Sequence, residues 1–284
     1  MIVLAKRNMM IFFRDKANVF FSMLVVFITL GLYIIFLGEN LTSSITNVPN
    51  AGQLADTWIM AGILATTSLT TTLGAFGIMV NDRNQKVDKD FLATPLSYAK
   101  RVAGYLLGTF SIGLIMTLLT LILAQVFIYF NHNQLFTLIE FLQLGGIMLL
   151  SVLSSTAMMY VIVELFRSPM AYETATSVIS SIIGFVAGVY VPFGVLPGVV
   201  QYFAMLFPVT HGAALFRQVM MGSAMDTAFG NISQEHILGF ELNMGNTFQV
   251  GDTVLSPLTS ILYLVVTTLI FYGAAVLLAQ RKKR

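Results

Sequence analysis

Apolar positions in this chain come in long unbroken runs. Six stretches, 17–37, 57–80, 102–130, 141–163, 171–191 and 258–279, are continuously hydrophobic or nearly so. A helix rising 1.5 Å per residue needs about 20 such positions to cross a hydrocarbon core of about 30 Å, so each stretch is long enough to span a bilayer. Barrel strands alternate over about ten residues, and that alternation is missing here, so helices are predicted. The expected fold is an all-α polytopic membrane protein, one transmembrane domain over 1–284 with six transmembrane helices. Lys6, Arg7, Arg14 and Lys16 precede the first stretch as they would a signal peptide. That stretch is too long for one and lacks a small-residue cleavage site, so a permanent helix is predicted.

Composition agrees: 57% of the 284 residues are apolar and 10% charged, with mean hydropathy +0.84, which excludes a water-soluble globule. Fifteen Lys and Arg against thirteen Asp and Glu leave a net +2, too little for a nucleic-acid surface. There is no cysteine, and His132, His211 and His236 lack ligand spacing, so no metal site is expected. Ser97 and Lys100 match S-x-x-K, but SDN and KTG are absent and no acyl-transfer site is inferred. The cations fall on alternate loops: four before the first run, five between Arg83 and Arg101, Arg167, and the four that close the chain. Only Arg217 lies elsewhere. Both termini are therefore expected in the cytoplasm of a multi-pass plasma-membrane protein. The lack of cysteine and the compact loops point to a bacterial source.

Several segments between or within the runs carry distinctive patterns. Residues 1–16 place Lys6, Arg7 and Arg14 in one helical sector and leave Ile2, Met9, Phe12 and Phe13 for lipid. An interfacial helix fits this, as does a basic tail that only sets topology. Within 81–101, Val87, Phe91 and Leu92 recur at helical spacing before Pro95 stops the helix, and Lys86, Asp88 and Lys89 are interleaved with them. This segment is either a docking helix for a soluble partner or a solvated loop. Arg167, in a tight turn between the fourth and fifth runs, is a second contact point. In the second run Thr66, Thr67, Ser68, Thr70, Thr71 and Thr72 surround Leu69. Such hydroxyls can bond back to their own helix or line a polar path. Ser177, Ser180, Ser181, Gly184 and Gly188 form a small-residue stripe on the fifth run, and Gly104 and Gly108 another on the third. Residues 193–222 are apolar but broken by Pro197 and Pro208, which fits an outer re-entrant hairpin with its break near 208–212. It carries His211 and Arg217, which either contact cargo or cap carbonyls. A polar external segment, 223–257, precedes the last run.

Energy for transport has no source within the chain. No Gly-Lys dipeptide occurs, so there is no phosphate-binding loop. Asp56, Glu140, Glu164 and Glu173 lie at or near run ends and supply no ion relay at mid-membrane. A transporter so built draws on a separate ATPase. The competing reading is an ion-coupled carrier or channel acting alone.

In these features, and in their order, the chain resembles the membrane subunit of type-two ABC exporters. The features are the basic amphipathic start, six runs, FLATPLSYAKRVAGYLLG after the second run, and a broken hairpin carrying LP and FPVTHGAALFRQ before the last. The resemblance implies a non-enzymatic permease paired with a second identical or homologous permease and with two cytoplasmic ABC ATPase subunits. Those subunits would hold the ATP and Mg, and this chain would bind no cofactor. Lys86, Val87, Asp88, Lys89, Phe91 and Leu92 would match the coupling helix, with Arg167 beside it. Thr66, Thr67, Thr70 and Thr71 would border the substrate path with Ser177 and Ser181, and Pro208, His211 and Arg217 would match the outer hairpin. Phe207-Pro208 stands where the family usually has Asn-Pro, and Asn84-Gln85 follows Arg83 where Glu and Gly are frequent. Lacking a large external domain, the chain looks like the drug and antibiotic-resistance branch, with an amphipathic cargo. Export of a polysaccharide or lipid-linked glycan is the alternative.

Overall fold

A computed structural model describes residues 1–44, 49–87, 97–230 and 233–281. Helix α1 (Ile2–Arg14) ends at Asp15, whose carboxylate then accepts from the Asn18 amide at 3.1 Å and opens α2 (Lys16–Leu32). A π-helical turn, Tyr33–Leu37, carries α2 into α3 (Gly38–Ser44). Next come α4 (Ala51–Asn84), α5 (Tyr98–His132) and α6 (Leu138–Val163). A reciprocal Thr137–Glu140 capping box starts α6, which explains an acid at the edge of an apolar run. Helix α7 (Pro169–Val186) begins on its proline, where the missing N–H costs nothing. The chain then forms α8 (Gly198–Met205), α9 (Pro208–Met220), α10 (Gly222–Phe229) and α11 (Gln234–Met244). An antiparallel hairpin of β1 (Gln249–Val250) and β2 (Thr253–Val254) leads into α12 (Pro257–Arg281).

Among the described residues, five helical segments are long and apolar enough to cross a membrane: α2 with its continuation, α4, α5, α6 and α12. The bent pair α8–α9, turned by 92°, makes up to six. Its break falls at Leu206 and Phe207, just ahead of the 208–212 stretch where the sequence suggested it. Helix α7 falls short of the predicted 171–191. It stops at Val186, because Gly188 takes a left-handed turn at φ +66° that ends the helix. Its 18 residues reach about 27 Å, and Glu173, Thr174, Thr176 and the serines dilute its apolar character.

Helix α4 is the centre of the bundle. Its apolar window is 72% buried, against 11% for α2 and 17% for α12. Leu54, Trp58, Leu64, Leu69 and Phe76 of α4 are buried among Met148, Val152 and Tyr160 of α6 and Phe216 of α9. On α2, by contrast, Phe20, Phe21, Phe27 and Ile28 face outward, as lipid-contacting positions do when the solvent is hydrocarbon.

Candidate functional site

The basic end of the bundle is built on two consecutive residues of α4. Asp82 accepts from Arg7 of α1 through both carboxylate oxygens, at 2.7 and 2.8 Å, and from the Tyr105 hydroxyl of α5 at 2.6 Å. The Asp82 side chain is 8% exposed and that of Arg7 31%. The bond to Asp82 raises the Arg7 pKa above its ordinary value, with burial acting against it. The bidentate fork is the strong form of such a pair. Arg83 turns the other way and pairs with Glu164, the residue that ends α6. The end of α4 is thus fastened to α1, α5 and α6 within a single turn.

Helix α1 reaches this position because α5 is flat where it lies. A Cβ at Gly104 would stand 2.9 Å from Leu4 Cδ2, and one at Gly108 would stand 3.1 Å from Asn8 Cβ. The glycine stripe of α5 therefore receives α1. Arg7 faces inward, and Phe12, expected in lipid, is buried against Ala75, Ile112 and Met116. Ile2 is exposed as anticipated, and Met9 and Phe13 pack on the edge of the Phe12 cluster.

Beyond Arg83 the helix ends, and Lys86 adopts a left-handed conformation at φ +61°. Val87 follows. Asp88, Lys89, Phe91 and Leu92 lie outside the described residues. Arg167 is exposed in the α6–α7 turn, flanked by exposed Leu165 and Met170.

A groove runs between α2, α4 and α7. Near the basic end it opens into a cavity of about 390 Å³ bordered by Asp15, Asn18, Asn81, Glu173 and Ser177. Further along it narrows to about 30 Å³ between Ser22 and Thr29 of α2, Thr66, Thr67 and Thr70 of α4, and Ser180 of α7, room for about one water. The hydroxyls at the constriction bond mostly within their own helix: Thr66 donates to Gly62 O at 3.1 Å and Thr70 to Thr66 O at 3.0 Å. Thr71 donates to Thr67 O at 2.6 Å, is buried and borders neither space. Ser181 is exposed and donates to Ser177 O at 2.9 Å. Ser180, named in the sequence only as part of the small-residue stripe, takes the groove-facing position at the constriction.

At the far end, the hairpin α8–α9 is pinned by its polar residues. Pro208 opens α9, and Thr210 donates to Ala204 O at 2.7 Å. His211 sits 3.0 Å from Met205 O and 3.1 Å from the Ser260 hydroxyl. A carbonyl only accepts, so Nε2 carries the proton and Nδ1 is left to accept from Ser260. The ring stacks on Tyr263 at 4.1 Å, joining the hairpin to α12. Arg217, 1% exposed, donates at 2.8 Å to both Ala187 O and Gly188 O at the end of α7 and at 3.3 Å to Gly245 O. Its guanidinium lies 5.0 Å from the Trp58 ring, and Trp58 donates to Met244 O at 2.7 Å. Carbonyls at a helix C-terminus carry partial negative charge, so they hold the cation without a carboxylate. Arg217 thereby ties α4, α7, α9 and the end of α11 together and caps carbonyls, the second of the two roles open to it.

Residues 73–277 match the family described as ABC-2 family transporter protein. The chain belongs to that family. No curated protein matches it. As an ABC-2 permease it is a multi-pass, non-catalytic transport subunit of a kind that pairs with ATPase subunits. The match begins on α4 above the Asp82–Arg83 pair and runs through α12, so α1 and α2 precede it. Sequence reading missed the Asp82 clamp because Asn81, Asp82 and Arg83 looked like the start of a solvated segment. The available signal was Tyr105, a polar tip on the apolar α5 close in sequence to Gly104 and Gly108.

Proposed function

We propose that this permease works in an ATP-driven exporter, as a dimer with an identical or homologous permease, both termini lying in the cytoplasm. Two ABC ATPase subunits holding ATP and Mg engage the 86–92 segment, with Arg167 and its apolar neighbours Leu165 and Met170 as a second contact. The observation that carries this reading is the pair of ion bonds at consecutive residues Asp82 and Arg83. A push on 86–92 arrives at a helix end fastened to α1, α5 and α6, so α4 moves as a rigid lever. Thr66, Thr67 and Thr70 ride on that lever at the groove's constriction. Widening it by a few ångströms extends the cavity along α4 past Thr70 and Thr66. Amphipathic cargo suits the groove, whose lower mouth has Asp15, Glu173 and amides and whose waist is hydroxyl and aliphatic. A drug-like molecule or antibiotic peptide has that character.

The test is a charge swap in the reconstituted complex of permease and ATPase. Arg83→Glu and Glu164→Arg should each cut ATP-dependent transport several-fold, and the two together should recover a substantial part of it. Phe91→Ala and Asp88→Lys should weaken ATPase binding or its stimulated turnover. Full transport in all these variants refutes the coupling role. Gradient-driven flux through liposomes holding the permease alone refutes the dependence on an ATPase, in favour of a carrier or channel.

A further inference from the structure

The end of the bundle away from α1 has a second cavity, separate from the groove. Helix α10 buries Ala224, Met225, Ala228 and Phe229 and turns Asp226 outward. Ser223 accepts from Gln134 at 2.8 Å, just past the end of α5, which places α10 opposite the Asp82 clamp. Between α10, α11 and the end of α9 lies a space of about 450 Å³, the size of a small-molecule site. Its apolar wall is Met221, Met225 and Phe229, and the Phe229 ring is 5.0 Å from that of Phe240. Its polar rim contains the exposed Asp226 and the half-buried Glu241. Neither carboxylate forms an ion pair among the described residues, and no Lys, Arg or His borders the space. Asn246 also borders it, is 2% exposed, and leaves its carboxamide oxygen without a partner among the described residues.

We propose that this cavity binds an amphipathic organic cation, an ammonium group carried on an apolar or aromatic body. Two carboxylates with no ion-pair partner among the described residues attract positive charge and repel anions. Burial raises the Glu241 pKa, the mark of a carboxylate short of compensation that a bound cation would supply. Methionine and phenylalanine give a polarizable wall that accepts varied apolar bodies and the face of a cation. An ammonium N–H is a donor of the kind that the Asn246 oxygen lacks. Hydrated divalent metals fit less well: they need six or more oxygen ligands, and no cluster of three or more ligating side chains occurs among the described residues. Cargo movement along α2, α4 and α7 involves none of these residues, so the site stands apart from the coupling proposal.

Monodansylcadaverine, an aromatic primary amine with environment-sensitive emission, is the probe. It is titrated into the purified full-length permease in detergent, with no ATPase present, and an N-acetylated form serves as the neutral control. Saturable binding is expected, weakened about five- to tenfold by each of Glu241→Gln and Asp226→Asn, as rim charges in partly screened surroundings suggest. The double variant should lose more, Asn246→Ala should weaken binding several-fold, and the acetylated probe should not distinguish parent from double variant. Emission of Trp58, the single tryptophan, checks that each variant is folded, and the two near-isosteric acid-to-amide changes carry the test if Asn246→Ala is not. Absence of saturable binding to the parent, or equal affinity in a folded double variant, overturns the proposal.

Discussion

Removing Arg7 should damage the docking of α1 more than neutralising the carboxylate it binds. The Asp82 side chain is 8% exposed and that of Arg7 31%. Arg7→Ala leaves a nearly dry carboxylate supported, among the described residues, by Tyr105 alone. Breaking a buried pair this way costs about 3–5 kcal/mol, and the surviving Tyr105 bond together with water admitted as α1 lifts puts the case near about 3 kcal/mol. Asp82→Asn leaves instead an arginine that already reaches solvent. Its loss is that of charge-assisted hydrogen bonds partly replaced by neutral ones, about 1.5 kcal/mol. At about 1.4 kcal/mol per factor of ten, opening of α1 should rise about a hundredfold in Arg7→Ala and about tenfold in Asp82→Asn. The double variant should fall near Asp82→Asn, because deleting the orphaned charge removes most of the penalty. Hydrogen–deuterium exchange of peptides covering residues 2–14, read by mass spectrometry in nanodiscs, reports that opening directly. Equal effects of the two single changes with an additive double, or unaltered α1 exchange in all three, refute the reasoning.

Gly104→Leu should lift α1 from α5, since even a Cβ there stands 2.9 Å from Leu4. Overpacking costs about 1–3 kcal/mol, and exchange across α1 should rise while exchange in α6 stays unchanged. Arg217→Leu should lower the midpoint of thermal unfolding and shift Trp58 emission, because it strands the carbonyls of Ala187 and Gly188 at about 1–3 kcal/mol of desolvation. Arg217→Lys should restore little of this, since the shorter side chain ends in a single nitrogen and cannot spread its donors as the two terminal guanidinium nitrogens do between Gly245 O and the carbonyls of Ala187 and Gly188. Glu241 has a raised pKa from burial, so the folded state holds its proton more tightly than the unfolded chain does, and stability falls as pH rises through the folded value. Glu241→Gln should therefore unfold at a higher temperature than the parent at neutral pH, with the gain disappearing once pH drops below the ordinary carboxylate range. A gain that is constant across pH contradicts this.

Much of this protein could be read from its chain because lipid as a solvent rewards local properties. An apolar run of sufficient length becomes a helix wherever it lies, and Pro208 must break or begin one. The all-helical fold, the apolar helices long enough to cross and the bent helix pair followed from that. The groove residues were only partly legible. The family resemblance named Thr66, Thr67, Thr70, Thr71, Ser177 and Ser181 for a path, but a helix also has a back, and packing decided that Thr66, Thr67, Thr70 and Ser177 border the groove, that Thr71 faces into the packed bundle, and that Ser180 takes the groove position at the constriction. The fate of α7 turned on Gly188, whose left-handed turn is held against the Arg217 guanidinium. Tertiary structure alone decided the pairings. Arg7 meets Asp82 across 75 residues, Arg83 meets Glu164 across 81, and Trp58 meets the carbonyl of Met244 across 186. Hydropathy records how each residue is solvated on average, whereas an ion pair depends on which two side chains packing brings within 3 Å, and that information belongs to no single segment.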